Sequence, residues 1–235
     1  MADSREARFA AVAVLDEPTR RRLYDFVVRQ PSPVSRDEAA AALGLARATA
    51  AFHLDRLADA GLLDVVHERR TGRSGPGAGR PAKLYHRSRQ PIEVNLPERR
   101  YELAGQLLAT AVQESEQSGQ SPRTVLDWHA RELGTRLGAA ARATDPGDSD
   151  QADLLRTLEI HGFEPRVADT NILLGNCPFH DLAQKHTELV CGMNLCLLSG
   201  MLDGLASTGF TAQLDPAPHL CCVRLAPTNI NKTRD

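Results

Sequence analysis

Five cysteines lie within a short stretch of the C-terminal half of the chain. They are Cys177, Cys191, Cys196, Cys221 and Cys222. Because thiols inside cells are kept reduced, clustering of this kind indicates metal binding or redox chemistry rather than a disulfide framework. The alternative is that each cysteine is a small hydrophobic residue of a protein core.

Three of these cysteines are the expected metal ligands. Cys177 is the expected N-cap of a predicted helix that starts at Pro178, and the helix dipole would lower the pKa of a thiol at this position. Cys196 lies five residues after Cys191, about 140° around a helix, so we expect it to point elsewhere. Cys221 and Cys222 are adjacent on a predicted strand and should face opposite sides, so only one can join Cys177 and Cys191. Cys221 is the expected ligand of the two, and Cys222 is the alternative.

A fourth ligand is needed to complete such a site. His180 is the expected fourth ligand and His186 is the alternative. Three thiolates and a further ligand suit either an Fe–S cluster or a tetrahedral zinc site. Zinc would be structural or would sense metal supply, whereas a 4Fe–4S cluster would sense iron, oxidant or nitric oxide. The residues alone leave both possibilities open, beside the reading as inert core cysteines.

The N-terminal segment has the pattern of a helix-turn-helix. Ser35 and Glu38 form a capping box at the start of a short alanine-rich helix, and Gly44 is suited to end it with a left-handed turn. Two helices joined by a short glycine-containing turn are the helix-turn-helix plan. The expected elements are helices over 5–15, 18–30, 36–43 and 47–60 and strands over 62–66 and 83–86.

Residues 71–82, between the two predicted strands, are rich in Gly and Pro and should form a loop. Residues 63–90 carry seven Lys and Arg against two acidic residues. A basic hairpin that follows a helix-turn-helix is typical of a wing. Residues 1–90 are therefore predicted to be a winged helix-turn-helix domain that binds duplex DNA.

The second helix of the pair should lie in the major groove, where base pairs can be distinguished. Arg47 would read guanine through two hydrogen bonds, and Thr49 would contact a phosphate or a thymine methyl group. Arg73 and Arg80 would enter a narrow minor groove. Phe52 is either a groove contact or a core residue. The full set of expected DNA contacts is Arg47, Thr49, His53, Arg56, Arg73, Arg80 and Lys83.

The charge distribution agrees with this interpretation. Residues 1–90 hold 16 Lys and Arg against 11 Asp and Glu, whereas the remainder holds 12 against 19. A basic N-terminal part and an acidic C-terminal part fit a chain of which only one end contacts phosphate.

The remainder of the chain predicts two further regions and an α+β fold overall. Residues 91–145 should form a helical linker that serves dimerisation or packing, with helices over 98–117 and 122–142. Residues 146–235 should form a small α/β metal- or ligand-sensing domain. Its expected elements are helices over 151–161, 178–187 and 189–206 and strands over 165–168, 171–174, 210–214 and 219–225.

Several classes of protein are disfavoured by the sequence. We expect no membrane-spanning segment, since no apolar run approaches the ~18 residues that one needs. The N-terminus lacks the apolar stretch of a signal peptide, which predicts a cytoplasmic protein. An enzyme is not expected, because no Ser/His/Asp arrangement, phosphate-binding glycine loop or carboxylate pair stands out.

Three stretches of the N-terminal segment resemble the ArsR-related winged-helix regulators. They are LDEPTRRRL at 15–23, FHLDRL at 52–57 and AGLL at 60–63. GRPAKLY at 79–85 is similar to the wing of the SufR-like branch of these proteins. The resemblance implies a homodimeric repressor that binds a palindromic double-stranded operator.

The cysteine region resembles the SufR-like branch too. NCPF at 176–179, a cysteine after ELV at 188–190 and a late cysteine on a strand are similar to its cluster-binding region. The resemblance implies an Fe–S cluster, held by cysteines from these three places, that controls operator affinity. The chain departs from the pattern at Glu164, where SufR-like proteins often have a further cysteine. A likeness to 4-vinyl reductase-like domains implies a small organic ligand or an enzyme ancestry as the alternative.

Overall fold

The computed structural model describes residues 5–68, 81–144, 149–206 and 208–228. The described residues divide into two compact units, one that ends at Val94 and one that begins at Asn95. Arg73 and Arg80 of the predicted wing lie outside the described residues.

The first unit combines four helices and a three-stranded sheet within its described part. Its antiparallel strands are in the order β1-β3-β2. Only β1, which has two residues, was not expected, since so short a strand has no periodicity to detect. The elements are α1 Arg5–Val14, α2 Pro18–Val28, β1 Val34–Ser35, α3 Arg36–Leu43, α4 Arg47–Asp59, β2 Leu63–Glu68 and β3 Ala82–Arg87.

Local side-chain chemistry sets the helix ends in the first unit. The Ser35 side chain accepts from the backbone N–H of Glu38, whose carboxylate accepts from the backbone N–H of Ser35, so the predicted capping box is confirmed. Gly44 ends α3 with φ of 66°, a left-handed conformation that glycine adopts without strain. The turn between α3 and α4 is therefore set by the sequence.

The core of the first unit lies between its helices and the sheet. Leu54 and Leu57 of α4 are fully buried, which fixes the opposite face of that helix toward solvent. Burial of one such leucine contributes about 1.5–3 kcal/mol. The other large buried side chains of this core are Leu23, Val27, Val34, Leu62, Leu63 and Tyr85.

The second unit packs five helices against a four-stranded antiparallel sheet of order β4-β5-β7-β6 in the part of the chain that is described. Helices α5 and α6, within the predicted linker, contribute to the same core as α7, α9 and the sheet. The elements are α5 Tyr101–Ser118, α6 Pro122–Thr144, α7 Asp150–Ile160, β4 Pro165–Ala168, β5 Asn171–Leu174, α8 His180–Lys185, α9 Thr187–Leu205, β6 Phe210–Leu214 and β7 Val223–Pro227.

Two expected boundaries near the cysteines are wrong. α8 begins at His180 with Phe179 at its N-cap, so Cys177 precedes the helix and does not cap it. β7 begins at Val223, so Cys221 and Cys222 precede the strand in irregular backbone. The alternation of faces that applies within a strand therefore does not apply to this pair.

Glycines bring α6 and α9 into direct backbone contact. A Cβ atom at Gly134 would overlap the carbonyl oxygen of Leu197, and one at Gly138 would overlap that of Met201. From the other helix, a Cβ atom at Gly200 would overlap the carbonyl oxygen of Arg131. Only glycine allows the two helices to approach so closely.

Helix α9 is the one described helix that is long and apolar enough to cross a membrane by length and composition. Within the second unit it is a core helix, since 61% of its apolar window is buried. The expectation that no apolar segment reaches the length of a membrane span is therefore wrong. The packing of α9 in the core of the second unit explains why this helix is apolar.

Candidate functional site

Helix α4 carries three of the seven predicted DNA contacts at exposed positions. Arg47, Thr49 and Arg56 are all exposed there. Phe52 lies among them with 59% of its surface exposed, so the alternative that it is a core residue is wrong. A solvent-facing aromatic ring between arginines is unusual on a helix whose opposite face fills the core.

Two of the predicted DNA-binding cations are paired with acidic residues. The Arg47 Nε lies 2.5 Å from an Asp37 oxygen. The Lys83 Nζ lies 2.5 Å from Asp55 Oδ1, which also accepts a hydrogen bond of 2.6 Å from the Tyr85 hydroxyl. Burial alone would raise the pKa of Asp55, but these two hydrogen bonds lower it. Both cations would exchange these partners for phosphate or base atoms on binding DNA.

His53 lies on a different side of α4 from this exposed face. Its side chain is 13% exposed, and its Nδ1 is 3.6 Å from a carboxylate oxygen of Glu17. Burial alone would raise the pKa of Glu17, but backbone hydrogen bonds from Thr19 and Arg20 lower it to about 2. Glu17 is therefore a charged N-cap of α2, and the base contact expected of His53 stays a prediction.

In the second unit, the cysteines meet where β5 ends and β7 begins. The two strands are antiparallel neighbours, with Ile172 opposite Leu225. The Cys221 backbone N–H donates to the carbonyl of Leu174, the last residue of β5, at 2.9 Å. Since Cys177 follows Leu174 by three residues, the sheet topology brings these two cysteines to one end.

Four thiols interact at this end of the sheet as two pairs. A hydrogen bond with Cys221 lowers the pKa of Cys177, as do the backbone N–H of Phe179 and the charge of Arg99. The same bond, together with burial, raises the pKa of Cys221. Burial raises the pKa of Cys191 to about 12, with contributions from a hydrogen bond to Cys222 and from the charge of Cys177. Hydrogen bonding thus lowers the pKa of Cys177, whereas the pKa values of Cys191 and Cys221 are raised.

The loop that carries Cys177 is fixed by the segment that precedes α5. The side-chain amide of Asn176 donates to the backbone carbonyl of Glu98 at 2.9 Å and accepts from Arg99 Nη1 at 2.6 Å. On the other side of Cys177, the carbonyl of Pro178 accepts from the backbone N–H of Arg100 at 3.0 Å. Both neighbours of Cys177 are therefore held by residues 98–100.

A buried amide on α9 faces the same thiols. Asn194 is 1% exposed, and its Nδ2 donates to the Cys221 sulfur at 3.3 Å. Its Oδ1 is buried without a hydrogen-bond partner in the described part of the chain. An unsatisfied buried polar atom costs about 1–3 kcal/mol, so this residue is not there for stability alone.

The remaining sequence candidates lie elsewhere. His180 is exposed on α8, where its Nε2 is 2.9 Å from the side-chain nitrogen of Gln184. Cys196 has Asp127, Arg131 and Arg123 of α6 as its electrostatic neighbours. Across residues 5–68, 81–144, 149–206 and 208–228, no three His, Cys, Asp or Glu side chains already form a group that could hold a metal ion.

Sequence reasoning missed two residues of this thiol end. Cys222 is expected only as an alternative to Cys221, because a strand is predicted through both residues, whereas it lies in irregular backbone within hydrogen-bonding reach of Cys191. Asn194 gave a weak signal, as a lone amide in the apolar run VCGMNLCLL at 190–198. A polar residue in the middle of a buried helix indicates a specific hydrogen bond.

Comparison with known proteins gives a family match within the first unit. Residues 15–66 match the family model described as a helix-turn-helix domain. No curated protein and no solved structure matches the chain. The match spans the second helix of the first unit through the start of the β2–β3 hairpin, including the whole of α3 and α4. The N-terminal unit is a helix-turn-helix domain of the kind by which transcription regulators bind DNA.

Proposed function

We propose that the protein is a cytoplasmic, homodimeric repressor that binds a palindromic operator, as its resemblance to the SufR-like regulators implies. Two copies of α4 would enter successive major grooves, one helical turn apart. The observation that supports DNA binding is that α4 of a matched helix-turn-helix domain exposes Arg47 at its start and Thr49 and Arg56 along its outer side.

The DNA proposal is tested with the full chain and duplexes selected from a random pool. The logarithm of the association constant should fall linearly with the logarithm of salt concentration, because binding releases the cations condensed on phosphate. Arg56→Ala should weaken binding, whereas Arg136→Ala, an exposed change on α6 of the second unit, should not. A protein that shows no salt-sensitive attachment to any duplex would contradict the proposal.

The second part of the proposal is that the thiol end of the second unit holds a 4Fe–4S cluster that controls operator affinity. Cys177, Cys191 and Cys221 supply thiolates from three segments, as the resemblance implies. The donor set fits such a group, since thiolates are the ligands that Fe–S clusters prefer. When bound, the cluster would supply sensitivity to oxidants and to iron supply. For control, the two DNA-binding states must differ in their affinity for the cluster.

Anaerobic purification followed by metal and sulfide analysis tests the cluster. We expect iron and acid-labile sulfide in equal amounts, and an operator affinity at fixed salt that differs between the cluster-containing and cluster-free protein. Zinc in the absence of sulfide would contradict the cluster while keeping the thiol site, because four-coordinate zinc accepts the same ligands.

A further inference from the structure

The thiol end of the second unit contains one more cysteine than the three expected ligands. Cys222 packs at the edge of the hydrophobic core, next to Cys221 in the chain and in hydrogen-bonding reach of Cys191. Its backbone is fixed, because its carbonyl accepts from the backbone N–H of Asp215 at 2.8 Å. Because the backbone bends before β7, the side chains of both Cys221 and Cys222 can contact the other cysteines of the thiol end.

The bend before β7 coincides with an unusual backbone conformation and a hydrogen bond outside the regular ladder. His219 has φ of 62°, in the left-handed region, and Cys221 donates its backbone N–H to Leu174 ahead of the regular β7 ladder. In a regular strand the side chains of residues 221 and 222 would leave the sheet on opposite faces. Here Cys221 faces Cys177 while Cys222 faces Cys191, and both of those cysteines interact electrostatically.

His180 is poorly placed to be the fourth ligand. It is exposed, and its ring lies beside Gln184 on the outer side of α8. Cys177, Cys191 and Cys221 are all buried. To reach them, His180 would have to leave solvent and α8 would have to turn, whereas Cys222 is already in contact with one of the three.

Two further groups suit a site with several negative charges. Arg99 is close enough to lower the pKa of Cys177 and is held in place by Asn176. The Asn194 amide donates to the Cys221 sulfur, and such N–H···S hydrogen bonds stabilise a metal-bound thiolate. Four thiolates around a zinc ion or a 4Fe–4S cluster leave a net charge of about −2, which a nearby cation and hydrogen-bond donors offset.

We propose that Cys222 is the fourth ligand, which gives a four-thiolate site made of Cys177, Cys191, Cys221 and Cys222. The inference rests on the proposed function only in that this end of the sheet binds a metal centre. On binding, each thiol gives its proton to solvent and its S–H···S contact is replaced by a metal–sulfur bond. The two thiol pairs are the protonated form of the site.

The test uses the full-length protein with two probes. The first is anaerobic reconstitution with ferrous iron and sulfide, read by iron and sulfide content. The second is Co²⁺ alone, whose sulfur-to-cobalt charge-transfer absorption rises with the number of thiolate ligands. Cys222→Ser should lose the cluster and show the charge-transfer intensity of one thiolate fewer. His180→Gln and Cys196→Ser are the matched controls and should keep both signals.

The two proposals fail in different ways. Cobalt binding by four thiolates without assembly of an iron–sulfur cluster would overturn the cluster and uphold Cys222 as a ligand. Wild-type signals in Cys222→Ser, together with a loss in His180→Gln, would overturn the four-cysteine site and leave the cluster intact. A wild-type protein that binds neither probe would overturn both. Circular dichroism of the metal-free Cys222→Ser protein verifies that a loss is not caused by misfolding.

Discussion

Phe52 exposes its ring on the side of α4 that carries Thr49 and Arg56. An exposed aromatic ring in the major groove finds an apolar partner in the methyl group of thymine. Phe52→Ala should therefore weaken binding to the selected duplex and spare binding to unrelated DNA. The loss should be about 1–3 kcal/mol, the usual cost of one base contact.

Deoxyuridine provides the matching change on the DNA. Replacing thymines one at a time should reveal a position where wild-type protein loses affinity and Phe52→Ala protein does not. Additive effects of the protein and DNA changes at every position would show that Phe52 contacts no thymine methyl group.

Asn194 offers a test that separates function from stability. Asn194→Leu removes a buried amide whose Oδ1 is unpartnered in the described residues, and replaces it with an apolar side chain of similar size. Urea unfolding of the metal-free protein should show no loss of stability and a gain of up to about 1–3 kcal/mol. Metal retention should fall about 10- to 100-fold, the usual effect of losing a supporting hydrogen bond. A stability loss with unchanged metal retention would assign Asn194 to packing.

His161 makes the stability of the second unit depend on pH. Burial, together with the charge of Arg100, lowers its pKa from 6.5 to about 4. Between those values the unfolded chain binds a proton that the folded unit does not, so this contribution is full above pH 6.5 and is lost as the pH falls toward 4. In His161→Asn the free energy of unfolding should fall less between pH 7 and pH 5. His186→Asn, at an exposed position, should retain the wild-type slope, and equal slopes in all three proteins would refute the role of His161.

Residue patterns predicted the local structure of the first unit better than the neighbours of the thiols in the second unit. Ser35, Glu38 and Gly44 act through contacts a few residues away, so the sequence itself contains both partners of each contact. Cys222 and Asn194 acquire their neighbours from segments about 30 residues distant. Those neighbours depend on where β7 begins, which the sequence pattern placed four residues too early.

At the scale of elements, the α6–α9 contact leaves no room for a side chain at its glycine positions. Gly134→Ala would drive a methyl group into the backbone of Leu197. Overpacking of this kind costs about 1–3 kcal/mol, and more where backbone must move. Gly105→Ala on α5 is the matched control, because nothing lies within 4 Å of its added Cβ atom and the lower chain entropy should stabilise by about 0.5–1 kcal/mol. Thermal unfolding distinguishes the two, and equal melting temperatures would contradict the close contact.

Most elements follow from periodicity, and the exceptions have local causes. Pro178 suggested a helix start, but the carbonyl of Cys177 is used by the backbone N–H of His180 and the helix begins only there. The strand predicted from residue 219 was interrupted by the left-handed His219. Next to each place a tertiary hydrogen bond also holds the backbone, from Arg100 to the Pro178 carbonyl and from Cys221 to the Leu174 carbonyl, and such contacts override the local propensity.

At the scale of the whole molecule, the second unit begins at Asn95, and residues 98–100 hold both neighbours of Cys177. If the proposed function holds, a change at Cys177 acts directly on the first residues after the helix-turn-helix unit. Arg99→Met should reduce the difference in operator affinity between metal-loaded and metal-free protein. Arg136→Met, on the exposed side of α6, should leave that difference unchanged. Equal differences in both variants, measured at one salt concentration, would exclude residues 98–100 from the coupling.

The glycine contact between α6 and α9 has a consequence for how the thiol end can respond. Because carbonyl groups of one helix touch Cα atoms of the other, α9 cannot rotate or slide without a backbone collision. The backbone of Cys191 and Asn194 on α9 is therefore expected to stay in a fixed position. Rearrangement is left to the loop of Cys177 and the bend of Cys221 and Cys222. If the thiol end binds a metal centre as proposed, slow amide exchange along α9 should persist with and without the metal, while exchange in those two segments changes.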